Sequence, residues 1–131
     1  MGEMRLRLLL LASLLLVGAA CAGNGERELS VSASAYNSLP AQTQGDPNIG
    51  AWGDELRPGM LAIAVSRDLL ELGLTRGTRV RIDGLPGEYM VLDKMAKRWR
   101  RKIDLYMGTD IEAARQWGVR EVRIRWTSAT Q

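Results

Sequence analysis

The chain has 131 residues, with no histidine and one cysteine, Cys21. A histidine-based triad, a histidine-rich metal site and a disulfide framework are therefore excluded, leaving carboxylates, Tyr, Lys and Ser to carry any chemistry. The 18 basic and 15 acidic residues give a net charge of +3, too even a balance to argue for nucleic acid by itself.

The chain begins MGEMRLRLLLLASLLLVGAACAG: Arg5 and Arg7, an apolar run from Leu8 to Val17, then small residues. That order predicts a secretory signal over residues 1–21, because a membrane-spanning helix needs roughly 20 apolar residues and this run is shorter. Two fates fit the segment VGAAC. It resembles a bacterial lipobox, in which Cys21 is lipidated and becomes the mature N-terminus, although Gly18 stands where lipoboxes usually carry Leu. Ala20 and Ala22 also form an A-x-A pattern open to an ordinary signal peptidase. An unpaired thiol in an exported protein favours lipidation. By resemblance to Gram-negative lipoproteins, Ala22 after the cysteine implies the periplasmic face of the outer membrane, with the soluble periplasm as the alternative. Export argues against a nucleic-acid partner. Setting aside Glu3, Arg5 and Arg7 lowers the basic count by two and the acidic count by one, a net charge of +2 on the remainder.

A linker over residues 22–28 is expected to lead into one domain over 29–127, closed by a short tail, 128–131. LSVSASAY (Leu29 to Tyr36) alternates apolar and small polar residues as a half-buried strand does. A loop rich in Gly, Pro, Asn and Gln follows from Asn37 to about Gly59, long enough to be a functional loop. MLAIAVS (Met60 to Ser66) suits a central strand. TRVRIDG, EYMVLD (Glu88 to Asp93) and KIDLYM (Lys102 to Met107) also read as strands. Thr109 and Glu112 then form a T-x-x-E capping box ahead of the helical IEAARQW, with Gly118 placed to stop it. VREVRIRW (Val119 to Trp126) is the last strand. Six short strands and one helix predict a small closed barrel, since closure removes exposed edges. GTRVRI (Gly77 to Ile82) and GVREVRIR (Gly118 to Arg125) echo one another, as two pseudo-symmetric halves would.

Charge is concentrated in one place. Asp93 and Asp104 are eleven apart, and six of the nine residues from Lys94 to Lys102 are Lys or Arg. Alternation puts Ile103, Leu105 and Met107 toward the core, and Lys102, Asp104 and Tyr106 on the other side. By the same rule Asp93 shares a face with Tyr89 and Val91.

SASAY, LAIAVS, LTRGTRVRIDG, VLDKMAKRWRRKIDLYMG and EAARQWGVREVRI together resemble the 3D domain, a family named for three aspartates and found in membrane-bound lytic murein transglycosylase A and in stand-alone cell-wall proteins. The resemblance covers about Val31 to Trp126, and its most specific part is the aspartate pair with the second member inside IDLY. It implies a mainly β fold, a six-stranded double-psi β-barrel. It also implies cleavage of the MurNAc-GlcNAc bond of peptidoglycan without water or cofactor. One carboxyl group serves as acid and then base, a role that falls on Asp104, with Asp93 beside it. The sequence departs from the family at two places. Ser66 stands where the first aspartate usually follows AV, and the basic segment replaces a Gly-rich turn.

Two close carboxylates would raise one another's pKa, whereas Lys94 or Lys102 beside either would lower it. The segment from Lys94 to Lys102 is expected to form a basic lip, with Trp99 exposed for sugar stacking and Arg98, Arg100 and Arg101 meeting carboxylates of peptidoglycan. Attraction to anionic lipid or lipopolysaccharide phosphate and a merely solvated loop are the alternatives. Tyr36, Thr43, Ser66, Lys102 and Tyr106 are further candidates for substrate contact. Trp52 and Asp54 form either a sugar platform or a plug over the barrel end, and Trp117 and Trp126 read as core. Against the enzyme stand a non-catalytic peptidoglycan-binding module and an envelope protein that recruits a separate hydrolase.

Overall fold

The alternating stretches fold as strands. In the computed structural model, which describes residues 25–39, 46 and 48–128, these are β1 (Glu26–Tyr36), β2 (Ala62–Val65), β3 (Arg79–Ile82), β4 (Tyr89–Lys94), β5 (Lys102–Tyr106) and β6 (Arg120–Thr127). A one-turn helix, α1 (Arg67–Leu70), lies between β2 and β3, and α2 (Ile111–Trp117) lies between β5 and β6. The strands close into a barrel in the order β1-β5-β2-β4-β3-β6. Pairs β1·β5 and β2·β4 are parallel and the other four are antiparallel. Exchanging β1–β3 with β4–β6 maps this order and these directions onto themselves. The two VRI segments echoed in the sequence therefore sit at equivalent places, in β3 and β6, each reached from a helix.

Inward-facing aliphatic residues fill the barrel. Val31, Ile63, Val65, Val80, Val91, Ile103 and Ile124 are fully buried, and each contributes about 1.5–3 kcal/mol by leaving water. Trp117 and Trp126 join this core as expected, with their indole N–H groups donating to Ala33 O at 3.0 Å and Leu72 O at 3.2 Å. A second, smaller cluster lies on the outer side of the wall, where Leu56 from the long loop packs with Ala62 of β2, Leu92 of β4 and Tyr106 of β5.

Three details differ from the sequence reading. β1 begins at Glu26, three residues before Leu29, because it pairs antiparallel with β6 all the way to Thr127. The N-cap of α2 is Asp110, one residue beyond Thr109: its carboxylate accepts from the Ala113 amide at 3.0 Å, so the residue that caps is the one that reaches the N3 donor. Gly118 does end α2, with a φ of 65° that favours glycine. α1 is too short to show helical periodicity and is anchored by buried Leu69.

Candidate functional site

Four neighbouring strands carry one row of residues across the barrel wall. Ser34 of β1 is the Cα partner of Asp104 of β5, Asp104 of Ala64 of β2, and Ala64 of Asp93 of β4. Ala33, Val65 and Ile103 beside them are buried in the core, so the row faces outward.

Asp93 reaches this row through an irregularity. Strict alternation would send it the way of Val91, which is fully buried inside the barrel. Instead the pairing of β2 with β4 jumps from Ile63↔Val91 to Ala64↔Asp93 and passes over Leu92. The bulge puts Leu92 in the outer cluster and Asp93 beside Ala64, re-aiming a side chain as bulges do. The expected grouping of Asp93 with Tyr89 and Val91 on one face is corrected accordingly.

Ala64 carries only a methyl group between the two aspartates, whose Cα atoms lie two strand spacings apart, about 10 Å. The pair and Ala64 line a cleft of about 200 Å³, bounded by Tyr36, Lys94, Met95, Ala96 and Trp99. The two carboxylates have unlike surroundings. Asp93 Oδ1 accepts from the amides of Ala51 at 2.8 Å and Lys94 at 2.9 Å, and Oδ2 accepts a long bond from the Tyr36 hydroxyl at 3.4 Å. Among the described residues Asp104 Oδ1 has one side-chain or backbone donor, the Ser34 hydroxyl, at 2.5 Å.

Burial pushes the pKa of Asp104 above the usual carboxylate value. The Ser34 hydrogen bond and the charge of Lys102 pull against that shift, and the charge of Asp93 adds the smallest contribution. The contest foreseen between a like-charged neighbour and the cations is thus settled mainly by desolvation. Tyr36 is pushed well above the ordinary phenol value, by burial first and then by the charges of Asp93 and Asp104, and so it stays a neutral donor. The two carboxylates thus meet the cleft differently, Asp93 held by backbone amides and Asp104 by the Ser34 hydroxyl.

Ser34 escaped the sequence reading. It lies two residues before Tyr36, on the same outward face of β1, but nothing local reveals that a parallel pairing brings it to a residue 70 positions away. Its removal tests the account of Asp104. In Ser34→Ala the donor that favours the ionised carboxylate is gone, so an NMR titration of the Asp104 side chain is expected to move to higher pH. Lys102→Met is expected to move it the same way. A downward shift in either variant contradicts this balance of forces.

The other candidates fall into three groups. Tyr36 lines the cleft with the aspartates. Trp99 also lines it but is half-buried rather than exposed, and its ring already carries Lys102 Nζ at 3.8 Å and Arg98 Cζ at 4.9 Å from the centroid. Lys102 acts on Asp104 through its charge, and Arg98 is exposed on the lip.

Tyr106 and Ser66 lie away from the cleft. Tyr106 belongs to the outer cluster, with its hydroxyl 3.0 Å from Ser38 Oγ, because the loop that carries Leu56 covers this face of β5. Ser66 is fully buried, and its hydroxyl accepts from the Lys102 amide at 2.9 Å. Thr43 and Cys21 lie outside the described residues. Trp52 packs against the barrel core with Lys94 Nζ 5.6 Å from its ring centroid, and Asp54 is paired with Arg76 at 2.6 Å, an arrangement that fits a plug better than a platform. Among the described residues no three carboxylates or thiols gather as metal ligands.

No protein-family model matches this sequence, and no curated protein matches it. Solved structures do. The Streptomyces papain inhibitor (SPI) gives a TM-score of 0.54 at 18% identity over 77% of this chain and 94% of the inhibitor. The apo expansin of Clavibacter michiganensis gives 0.52 at 18% identity over 80% of this chain and 52% of the expansin, so the chain spans about half the expansin's length. At this identity the likeness establishes fold alone: the chain is a closed six-stranded barrel of the double-psi kind.

Proposed function

We propose that the protein is a 3D-domain protein acting on peptidoglycan from the periplasmic face of the outer membrane, held there through Cys21. Its activity on this reading is that of a lytic transglycosylase. One observation carries the proposal: a carboxyl group, Asp104, sits on the floor of a cleft with its pKa raised by burial. An acid that must protonate a leaving group near neutral pH needs that shift.

In the first half of the reaction Asp104 gives its proton to the glycosidic oxygen as the bond to the MurNAc anomeric carbon breaks. In the second half the resulting carboxylate takes the proton of the MurNAc C6 hydroxyl as that oxygen attacks the same carbon. The product is a 1,6-anhydro sugar, and Asp104 recovers the proton it gave without consuming water. Asp93, held by two backbone amides across Ala64, supplies negative charge opposite the cationic sugar of the transition state. Ser34 orients Asp104, and neutral Tyr36 is a donor for a sugar hydroxyl.

Ser66 favours a second reading. Where the resembling family has an aspartate, a buried serine is committed to the backbone of β5, as in a barrel that kept its glycan cleft and lost its chemistry. Digestion of purified sacculi, followed by mass analysis of the soluble products, separates the two. Release of 1,6-anhydro-muropeptides is the expected result. Binding without release replaces the enzyme with a peptidoglycan-binding module.

A further inference from the structure

Trp99 is also a wall of a second cleft, of about 340 Å³, that the aspartate chemistry does not use. That volume falls in the range of small-ligand pockets, about 300–1,000 Å³. Arg67, Asp68 and Glu71 come from α1 and its C-cap, with the Arg67 guanidinium turned to the Met95 carbonyl, and Lys97 and Arg100 come from the basic lip. The two walls are fixed relative to one another. Asp68 accepts from the Arg101 amide at 3.0 Å, Arg67 Nε donates to Met95 O at 3.1 Å, and Arg101 itself has a φ of 48°, in the left-handed region. Among the described residues Glu71, Lys97 and Arg100 enter no salt bridge, so charges of opposite sign face a common space without closing on each other.

A slot of this kind selects by charge pattern. A phosphate or a lipid headgroup rich in phosphate would gain Lys97 and Arg100 but meet repulsion from Asp68 and Glu71. A neutral sugar would leave the charges of Glu71, Lys97 and Arg100 unpaired. A group carrying a carboxylate and an ammonium a few bonds apart satisfies both walls at once. We infer that this cleft binds the zwitterionic diamino-acid end of a peptidoglycan stem peptide while the glycan occupies the aspartate cleft on the shared wall, Trp99. The inference rests on the peptidoglycan reading above, and it turns the basic lip from a general anion-attracting surface into one half of a peptide subsite.

The probe is a soluble stem tripeptide ending in diaminopimelate, titrated calorimetrically into the mature chain. Wild type is expected to bind it, and Glu71→Gln and Arg100→Gln are each expected to weaken binding about tenfold, the effect of one lost charged hydrogen bond. Both side chains are exposed, so neither change threatens folding. Absence of tripeptide binding, with sacculi still cleaved or bound, overturns the subsite and leaves the glycan reading intact. Tripeptide binding that both variants weaken, with no action on sacculi, supports the subsite and sinks the transglycosylase. A third arm uses anionic phospholipid vesicles. Vesicle binding that falls in Arg100→Gln and rises in Glu71→Gln marks a surface that seeks phosphate, and overturns the proposal.

Discussion

Asp104→Asn is expected to lower release of anhydro-muropeptides by about 10²- to 10⁴-fold, the share that general acid-base catalysis contributes, while making the folded protein more stable at neutral pH. Both effects come from one cause. The amide can still accept from Ser34 and occupies the same space, but it cannot exchange a proton. Because burial raises the pKa of Asp104 in the folded chain, the folded state retains a proton that the unfolded state has already lost over the interval above the ordinary carboxylate value. Stability contributed by the protonated form is therefore present at low pH and lost as pH rises through the folded pKa. The asparagine variant has no such loss. Its melting temperature should exceed that of wild type at pH 7, and the gap should close below about pH 4, where the carboxyl is protonated in both states. An equal melting temperature at both pH values would show that Asp104 carries no desolvation penalty. Unchanged release by a folded variant would remove it from catalysis.

Much of the barrel was legible because its strands are short and their faces strict. TRVRIDG alternates charge with Val80 and Ile82, and both are buried in the core. The echo of VRI in β3 and β6 reported a real symmetry of connection. The aspartate pair was legible too, as residues, but its geometry was not. Asp93 reaches the cleft only because the pairing passes over Leu92, and a bulge leaves no mark in an alternating pattern. Ser34 depends on a parallel pairing between β1 and β5, which no local signal announces. The basic segment misled in one respect, since Trp99 was expected to stand exposed among the charges. In fact Lys102 and Arg98 lie close over Trp99, and the Asp68 carboxylate holds the lip through the Arg101 amide.

The loop that orients Asp93 turns on Gly50, and Gly50→Ala is the substitution expected to damage the site most without touching a charged group. A Cβ at Gly50 would lie 2.3 Å from the Leu92 carbonyl oxygen, a backbone atom that cannot swing away. The loop has little freedom to absorb the shift. Gly50 N donates to Asp54 O at 2.8 Å, Gly53 N to Gly50 O at 2.9 Å, and Leu56 is buried in the outer cluster. Relief must come from lifting the loop off β4, at about 1–3 kcal/mol, as for other overpacked sites, or roughly 4–8 °C in melting temperature per kcal/mol for a domain of this size. The same movement withdraws the Ala51 amide from Asp93, leaving the Lys94 amide and the long Tyr36 bond to hold it. Loosening a positioned carboxylate by an ångström costs on the order of 10²-fold in rate. Gly53→Ala is the control: a Cβ there would meet nothing within 4 Å, and the φ of 90° confines the cost to backbone strain, about 1–2 kcal/mol. The Ala51 amide resonance reads the difference directly. It should shift strongly in Gly50→Ala and little in Gly53→Ala, and if both variants leave it in place, contact with the Leu92 carbonyl is not what seats the loop.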